Sequence, residues 1–326
     1  MWLIRLKRDS QKGGKPEIKI SELRNSKKMK RFSLLILISI FLVLSGKGQV
    51  RDSIPQIGLA IISQVNQGNS YITFPTDIGN IESLTFEGNL IPNFYLRQST
   101  NSRLMGVLTP QIIIRMYEER SYPVRTPSYM PQITLYYLLN GNDHVNKLSI
   151  YGRVAHHSNG QDGDFLLENG EINTKSGDFA TNFFESGVIL TNFSNRYKAH
   201  QFFKTSIEIH PDGWMQKELT GIYSQYRWHN TFSIFKLPVK NSGQYSKNAA
   251  VSLKGEVTWM FGNVRNPDGT RFDRLNLSLT FYYHPRFMED IGLFAQVYHG
   301  SDYYNIYFSH RLDVIRFGLM TEKLRF

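Results

Sequence analysis

A histidine and a serine stand two residues apart in His156-His157-Ser158-Asn159-Gly160. A serine hydroxyl is a poor nucleophile until a base takes its proton, and the base needs a third group to fix its tautomer and orientation. The pair ends an alternating run that starts at Lys147 and reads Leu-Ser-Ile-Tyr-Gly-Arg-Val-Ala before His156. Side chains i and i+2 of a β-strand share a face. Leu148, Ile150 and Val154 therefore point with His156, and Ser158 joins them if the strand continues. Ser149, Arg153 and His157 take the other face. The reactive pair thus lies on the apolar side, which is core in a soluble protein and lipid in a membrane barrel. An H-x-S pair recurs by chance in many strands, and a lone histidine there reads first as a packing or girdle residue.

A third member must come from a neighbouring strand with the same parity. The next run reads Ala180-Thr-Asn-Phe-Phe-Glu-Ser-Gly-Val-Ile-Leu190. Asn182, Phe184, Val188 and Leu190 share one face, and Glu185 and Gly187 the other. Asn182 is neutral, which suits a site beside hydrocarbon, where an unpaired carboxylate is costly. Its amide oxygen can accept from an imidazole N–H. Asn173 and Asn192 compete for the role, but neither opens a strand on the required face.

The elements that would carry these residues are strands. No later segment has the length and apolarity of a transmembrane helix. Alternating runs recur instead over 91–98, 103–117, 132–139, 148–157, 182–192, 201–210, 223–237, 249–261, 275–283, 291–299, 305–309 and 314–320. That is about twelve strands, most of membrane-spanning length. Ile291, Leu293, Ala295 and Val297 alternate with Phe294, Gln296 and Tyr298; Ile315, Phe317 and Leu319 alternate with Arg316 and Gly318. An apolar face outside and a polar or glycine-rich face inside is the outer-membrane pattern. Phe202 and Ile207 fit it only with a register shift. The expected fold is all-β, an antiparallel transmembrane barrel of the outer-membrane type. Charges aimed at the lumen do not recur as rings, which weighs against a selective pore.

Composition agrees with export. Residues 1–28 are polar and basic. Met29-Lys30-Arg31 then precede an apolar run of 13 residues, 32–44, too short to span a bilayer, and small residues follow. This reads as a signal peptide over 29–48, with Met29 as the start and cleavage near Gly48-Gln49. Residues 49–90 are less regular and read as an N-terminal segment on or inside the barrel, with the barrel domain over 91–326. Of the net charge of +11, residues 1–48 carry +9, which leaves +2 for the remainder. The basic balance is therefore not a nucleic-acid signature. The chain has no cysteine, which excludes disulfides and thiolate metal sites.

The stretch His156-x-Ser158-Asn159-Gly160 resembles the active-site motif of the outer membrane phospholipase A family. Ser128-Tyr-Met-Pro-Gln132 resembles a family segment upstream of it. Gln296-Val-Tyr-His-Gly300, Asn305-Ile-Tyr-Phe and Arg316-Phe-Gly-Leu-Met320 resemble the C-terminal strands, so the likeness covers roughly residues 90–326. It implies a twelve-stranded barrel in the outer membrane of a Gram-negative bacterium. The implied activity is calcium-dependent hydrolysis of the sn-1 acyl esters of phospholipids, with sn-2 as a further target, in a homodimer. By position Ser158 is similar to the nucleophile, His156 to the base and Asn182 to the orienting asparagine. The calcium positions correspond to the Gln161 backbone carbonyl, Asp178, and Ser121 from the partner subunit, with Asp162 and Asp164 nearby. Gln111 aligns with a polar residue of the dimer interface. The loop 161–180 is longer than the family's, which bears on Asn182. Two other readings stay open: a lipid A deacylase, which uses a carboxylate as third member, and a non-catalytic barrel or pore.

Overall fold

The computed structural model describes residues 57–321, except 75–77, 81, 100, 141–144, 242–243, 263, 265–270, 286 and 289. The segments read from sequence as an extension (1–28) and a signal peptide (29–48), and Phe326, lie outside the described residues. Among those described, thirteen strands follow one short helix, α1 (Leu59–Gln67). They are β1 (Tyr71–Thr73), β2 (Leu84–Leu90), β3 (Phe94–Leu96), β4 (Leu104–Tyr117), β5 (Ser128–Leu138), β6 (Lys147–Ser158) and β7 (Ala180–Ser194). Then come β8 (Ala199–Ile209), β9 (Tyr226–Asn241), β10 (Gln244–Phe261), β11 (Leu275–Pro285), β12 (Ile291–Ser301) and β13 (Arg311–Thr321).

From β4 to β13 each strand pairs antiparallel with the next. β1 pairs with both β13 and β2, and β2 pairs with β4, so the sheet closes on itself. β2 and β3 lie on successive stretches of β4 and occupy one position in the ring. The wall is therefore twelve strands round. Closure leaves no sheet edge, which a strand structure in lipid requires.

Alternation sets the faces. On β5, Ile133, Leu135 and Tyr137 are exposed on the outer wall, while Gln132, Thr134 and Tyr136 are buried inside. On β13, Ile315 and Phe317 face out, and Arg316 and Met320 face in. No described helix is long and apolar enough to cross a membrane; the outward apolar side chains of the strands do that work. The connections at one end are long: 118–127, 159–179, 210–225, 262–274 and 302–310. Those at the other are short, such as 195–198. Long loops mark the extracellular end of an outer-membrane barrel.

Three expectations change. The run 305–309 is a 3-10 turn (Asn305–Ser309), not a strand. Asn305 adopts a left-handed φ of 35°, and Tyr304, Ile306 and Tyr307 bury together beneath the long loops. The wall begins at Tyr71, upstream of the expected start at 91, because β1 and β2 supply the closing strands. The register shift expected in β8 is absent: its pairing with β7 and β9 is continuous. Phe202 simply points inward. It can do so because the lower lumen is apolar. There α1 places Leu59 and Ile62 against Met105, Leu138, Ile189 and Phe202. The helix stops at Gly68, whose φ of 80° is left-handed and whose N–H caps Gln64 O at 3.1 Å.

Candidate active site

On β6 the even residues face out, so Val154, His156 and Ser158 share the outer wall at the end that carries the long loops. His156 stands directly opposite Asn182 on β7, and Ser158 opposite Ala180. His156 Nδ1 lies 2.9 Å from Asn182 Oδ1. Asn182 Nδ2 donates to the Trp214 backbone carbonyl at 2.9 Å. That carbonyl can only accept, so it fixes which end of the amide is which. Oδ1 then faces the ring, Nδ1–H must donate, and Nε2 keeps its lone pair. This is the tautomer a general base at Nε2 needs. No hydrogen bond joins Ser158 to the ring among the described residues; the two share a face at successive outward positions.

The loop after Ser158 is built tightly. Buried Asn159 donates to Gly177 O at 2.8 Å, and its Oδ1 accepts from Phe179 N at 3.0 Å and Gln161 N at 3.2 Å. Gly160 turns the chain with φ 66°, and a Cβ there would sit 3.2 Å from the Tyr129 ring. Asp178 N donates to Gly163 O at 2.9 Å, which brings the two arms of the loop together. The long loop thus folds back on itself and still delivers Asn182 to His156.

Of the residues singled out from sequence, His156, Ser158 and Asn182 meet on one face. Gln161 and Asp178 sit on facing arms of the adjoining loop, where Asp178 Oδ1 accepts from Gln216 Nε2 at 2.7 Å. Ser121 lies exposed in loop 118–127 with a left-handed φ of 71°. Asp162 and Asp164 are exposed to solvent. Asn173 is occupied inside the loop, donating to Asp164 O at 3.0 Å, and Asn192 lies at the far end of β7. Gln111 does not face a partner barrel: it points into the lumen and bonds Asn89 and Gln132 at 3.0 and 3.1 Å. Odd positions on β4 face inward, and Gln111 follows that parity.

Glu185 also faces inward. Its carboxylate accepts from Arg153 at 3.0 Å and Ser206 at 2.7 Å, and so cannot orient His156. The lumen is crossed by further paired charges. Arg115 forms a two-point pair with Asp302 at 2.7 and 2.8 Å and a single bond to Glu87 at 2.8 Å. Glu208 accepts from Arg227 at 3.0 Å and lies 2.8 Å from His210 Nε2. With α1 below, these networks cross an interior that also holds polar cavities of about 290 and 220 Å³.

Three contributors were not picked out as functional from sequence: the Trp214 carbonyl, Gln216 and the Asn159 side chain. The first two lie in Pro211-Asp-Gly-Trp-Met-Gln216, whose Pro-Asp-Gly signals a turn but not its neighbour.

An apolar groove of about 810 Å³ descends the outer wall below the triad. Ile133, Leu135, Gly152, Val154, Phe184 and Ile207 line it. Gly152 leaves the notch in its floor.

No protein-family model matches the chain, and no curated protein matches it by sequence. Solved structures do. Outer membrane phospholipase A from Escherichia coli superposes with a TM-score of 0.51 at 14% identity, covering 78% of this chain and 92% of that one. The Salmonella typhi outer membrane phospholipase dimer with bound calcium gives 0.52 at 13% identity, covering 83% and 99%. The chain thus has the fold of outer membrane phospholipase A, a closed antiparallel barrel of twelve strands.

Proposed function

We propose that the protein is an outer-membrane phospholipase that cleaves acyl esters of glycerophospholipids with Ser158, His156 and Asn182. The observation that carries this reading is the His156–Asn182 hydrogen bond of 2.9 Å on the lipid-facing wall, at the head of an apolar groove. Ser158 Oγ attacks the ester carbonyl as His156 Nε2 takes its proton. The tetrahedral intermediate collapses, the acyl–oxygen bond breaks, and His156 returns the proton to the departing lysolipid. Water, deprotonated by His156, then releases the fatty acid from Ser158. Asn182 holds the ring and accepts from the imidazolium Nδ1–H. The acyl chain stays in the apolar phase throughout, which explains a site outside the barrel.

Calcium suits the adjoining loop. The Gln161 carbonyl and the Asp178 carboxylate are hard oxygens on facing arms, the donors this ion prefers. It takes about six to eight oxygens, so one chain falls short, and Ser121 from a second copy with water would complete the set. When bound, the ion supplies positive charge beside the developing oxyanion. The Salmonella neighbour, a dimer with bound calcium, supports both the ion and a homodimer.

The test is release of fatty acid and lysolipid from mixed phospholipids by the detergent-solubilised protein. Calcium-dependent release that is lost with a chelator and falls by at least about 1,000-fold in Ser158→Ala is expected. Folded protein that releases nothing from phospholipid with calcium present would overturn the reading.

A further inference from the structure

One turn above the wall touches the start of β7 through three successive residues, Trp214, Met215 and Gln216. Residues Asp212–Trp214 form a 3-10 turn closed by Trp214 N donating to Pro211 O at 2.8 Å. Met215 bridges to Thr181 and is buried near Phe179 and Leu219. Gln216 is bonded three ways. Its backbone N–H donates to Ala180 O at 3.0 Å. Its side-chain Oε1 accepts from Ala180 N at 3.2 Å, and Nε2 donates to Asp178 Oδ1 at 2.7 Å. The Trp214 carbonyl, two residues earlier, receives the Asn182 amide N–H.

Asn182 needs that carbonyl. An asparagine side chain can flip, and a flipped Asn182 would set its N–H₂ against the His156 N–H. Two donors would then face each other. The Trp214 carbonyl removes the ambiguity, because only the unflipped amide satisfies both neighbours. Since the group is backbone, no side chain at 214 encodes its position. It is held where the turn is held, and Gln216 is the polar side chain that pins the turn to β7.

We propose that Gln216 is a positioning residue for the reaction. It clamps the 212–216 turn onto Ala180 and Asp178, so that the Trp214 carbonyl keeps Asn182 aligned on His156. The proposal rests on the Ser-His-Asn reading above.

The test is a double-mutant cycle on a long-chain phospholipid, at saturating calcium so that any change through Asp178 does not enter kcat. The proteins are wild type, Gln216→Met, Asn182→Ala and the double variant. Methionine keeps the volume and removes both side-chain hydrogen bonds. Gln216→Met is expected to lower kcat about tenfold. KM should stay within about twofold, because the alignment acts on the base and not on lipid binding. The double variant should be no slower than Asn182→Ala alone, since Gln216 acts through Asn182. An unchanged kcat in Gln216→Met, or losses that multiply in the double variant, would overturn the proposal and leave the hydrolase reading intact. A folded wild type that releases no fatty acid overturns both. Folding is read from heat-modifiable migration on gels. If Gln216→Met does not fold, Gln216→Glu, which keeps an oxygen for Ala180 N–H but no donor for Asp178, replaces it in the same cycle.

Discussion

In the proposed triad, Asn182 takes the place that a carboxylate holds in most serine hydrolases. On a lipid-facing wall an amide avoids the cost of an unpaired charge. The trade is that an amide has a right and a wrong way round, so it needs a second partner. Parity alone brings His156, Ser158 and Asn182 together from the sequence, because a strand's period of two is strict. The same parity places Gln111 inward, against its expected interface role. The supporting contacts were hidden for a physical reason. Trp214 acts through a backbone oxygen, 32 residues along the chain from its partner. Asn159 shows its type but not its direction. Its side chain ties both arms of the loop, so Asn159→Ala should cost the loop about 2–3 kcal/mol. The barrel should keep its unfolding midpoint, while limited proteolysis should cut within 161–180 well before it cuts the wild type.

At the scale of elements, the long strands were legible because alternation ran unbroken over many residues. The failures were short. A run of five residues, Asn305–Ser309, satisfies a period of two and a period of three equally well, so length cannot arbitrate. β1 is only three residues long and offers no pattern at all. The inward Phe202 of β8 misled for another reason: its partner is α1, which a strand-by-strand reading does not see. The groove beside the site belongs to this scale too, since neighbouring strands build it jointly. Gly152 faces out at its floor, with Phe184 atoms 3.7 Å from where a Cβ would begin. Gly152→Leu would fill the notch. Hydrolysis of long-chain phospholipid should fall about tenfold, the cost of a displaced apolar contact of about 1.4 kcal/mol. A butyryl ester, too short to reach the notch, should be cleaved at nearly the wild-type rate.

Across the whole molecule, the interior is held by buried charge that the sequence announces only as scattered Arg and Glu. Arg316 on β13 is fully buried and donates to Glu87 on β2 at 2.8 Å, and Arg115 on β4 reaches the same carboxylate. These bonds stitch the closing strands to their neighbours. Removing one partner of a buried pair strands the other. Arg316→Met should therefore lower stability by about 3–5 kcal/mol, read as a drop in the denaturant midpoint of the detergent-solubilised barrel. The fold as a whole was legible from alternation and loop spacing. How the interior is filled was not, because it depends on which strands end up facing each other.

The joint between the first and last described strands has a consequence for how the protein is made. β1 meets β13 through three residue pairs, whereas β12 meets it through eleven. The tube is complete only when β1 and β13 find each other, and past β1 the seam goes on through Phe74 N to Phe317 O and the bridge between Ile78 and Ile315. A chain cut before β13 leaves the outer edge of β1, which then pairs with β2 alone, and the edge of β12 bare. Two rows of unsatisfied backbone groups cannot enter hydrocarbon. Interrupted synthesis thus yields no smaller barrel, only an open sheet. Topology here acts as a proofreader: the closed wall forms only from a chain that carries its last strand.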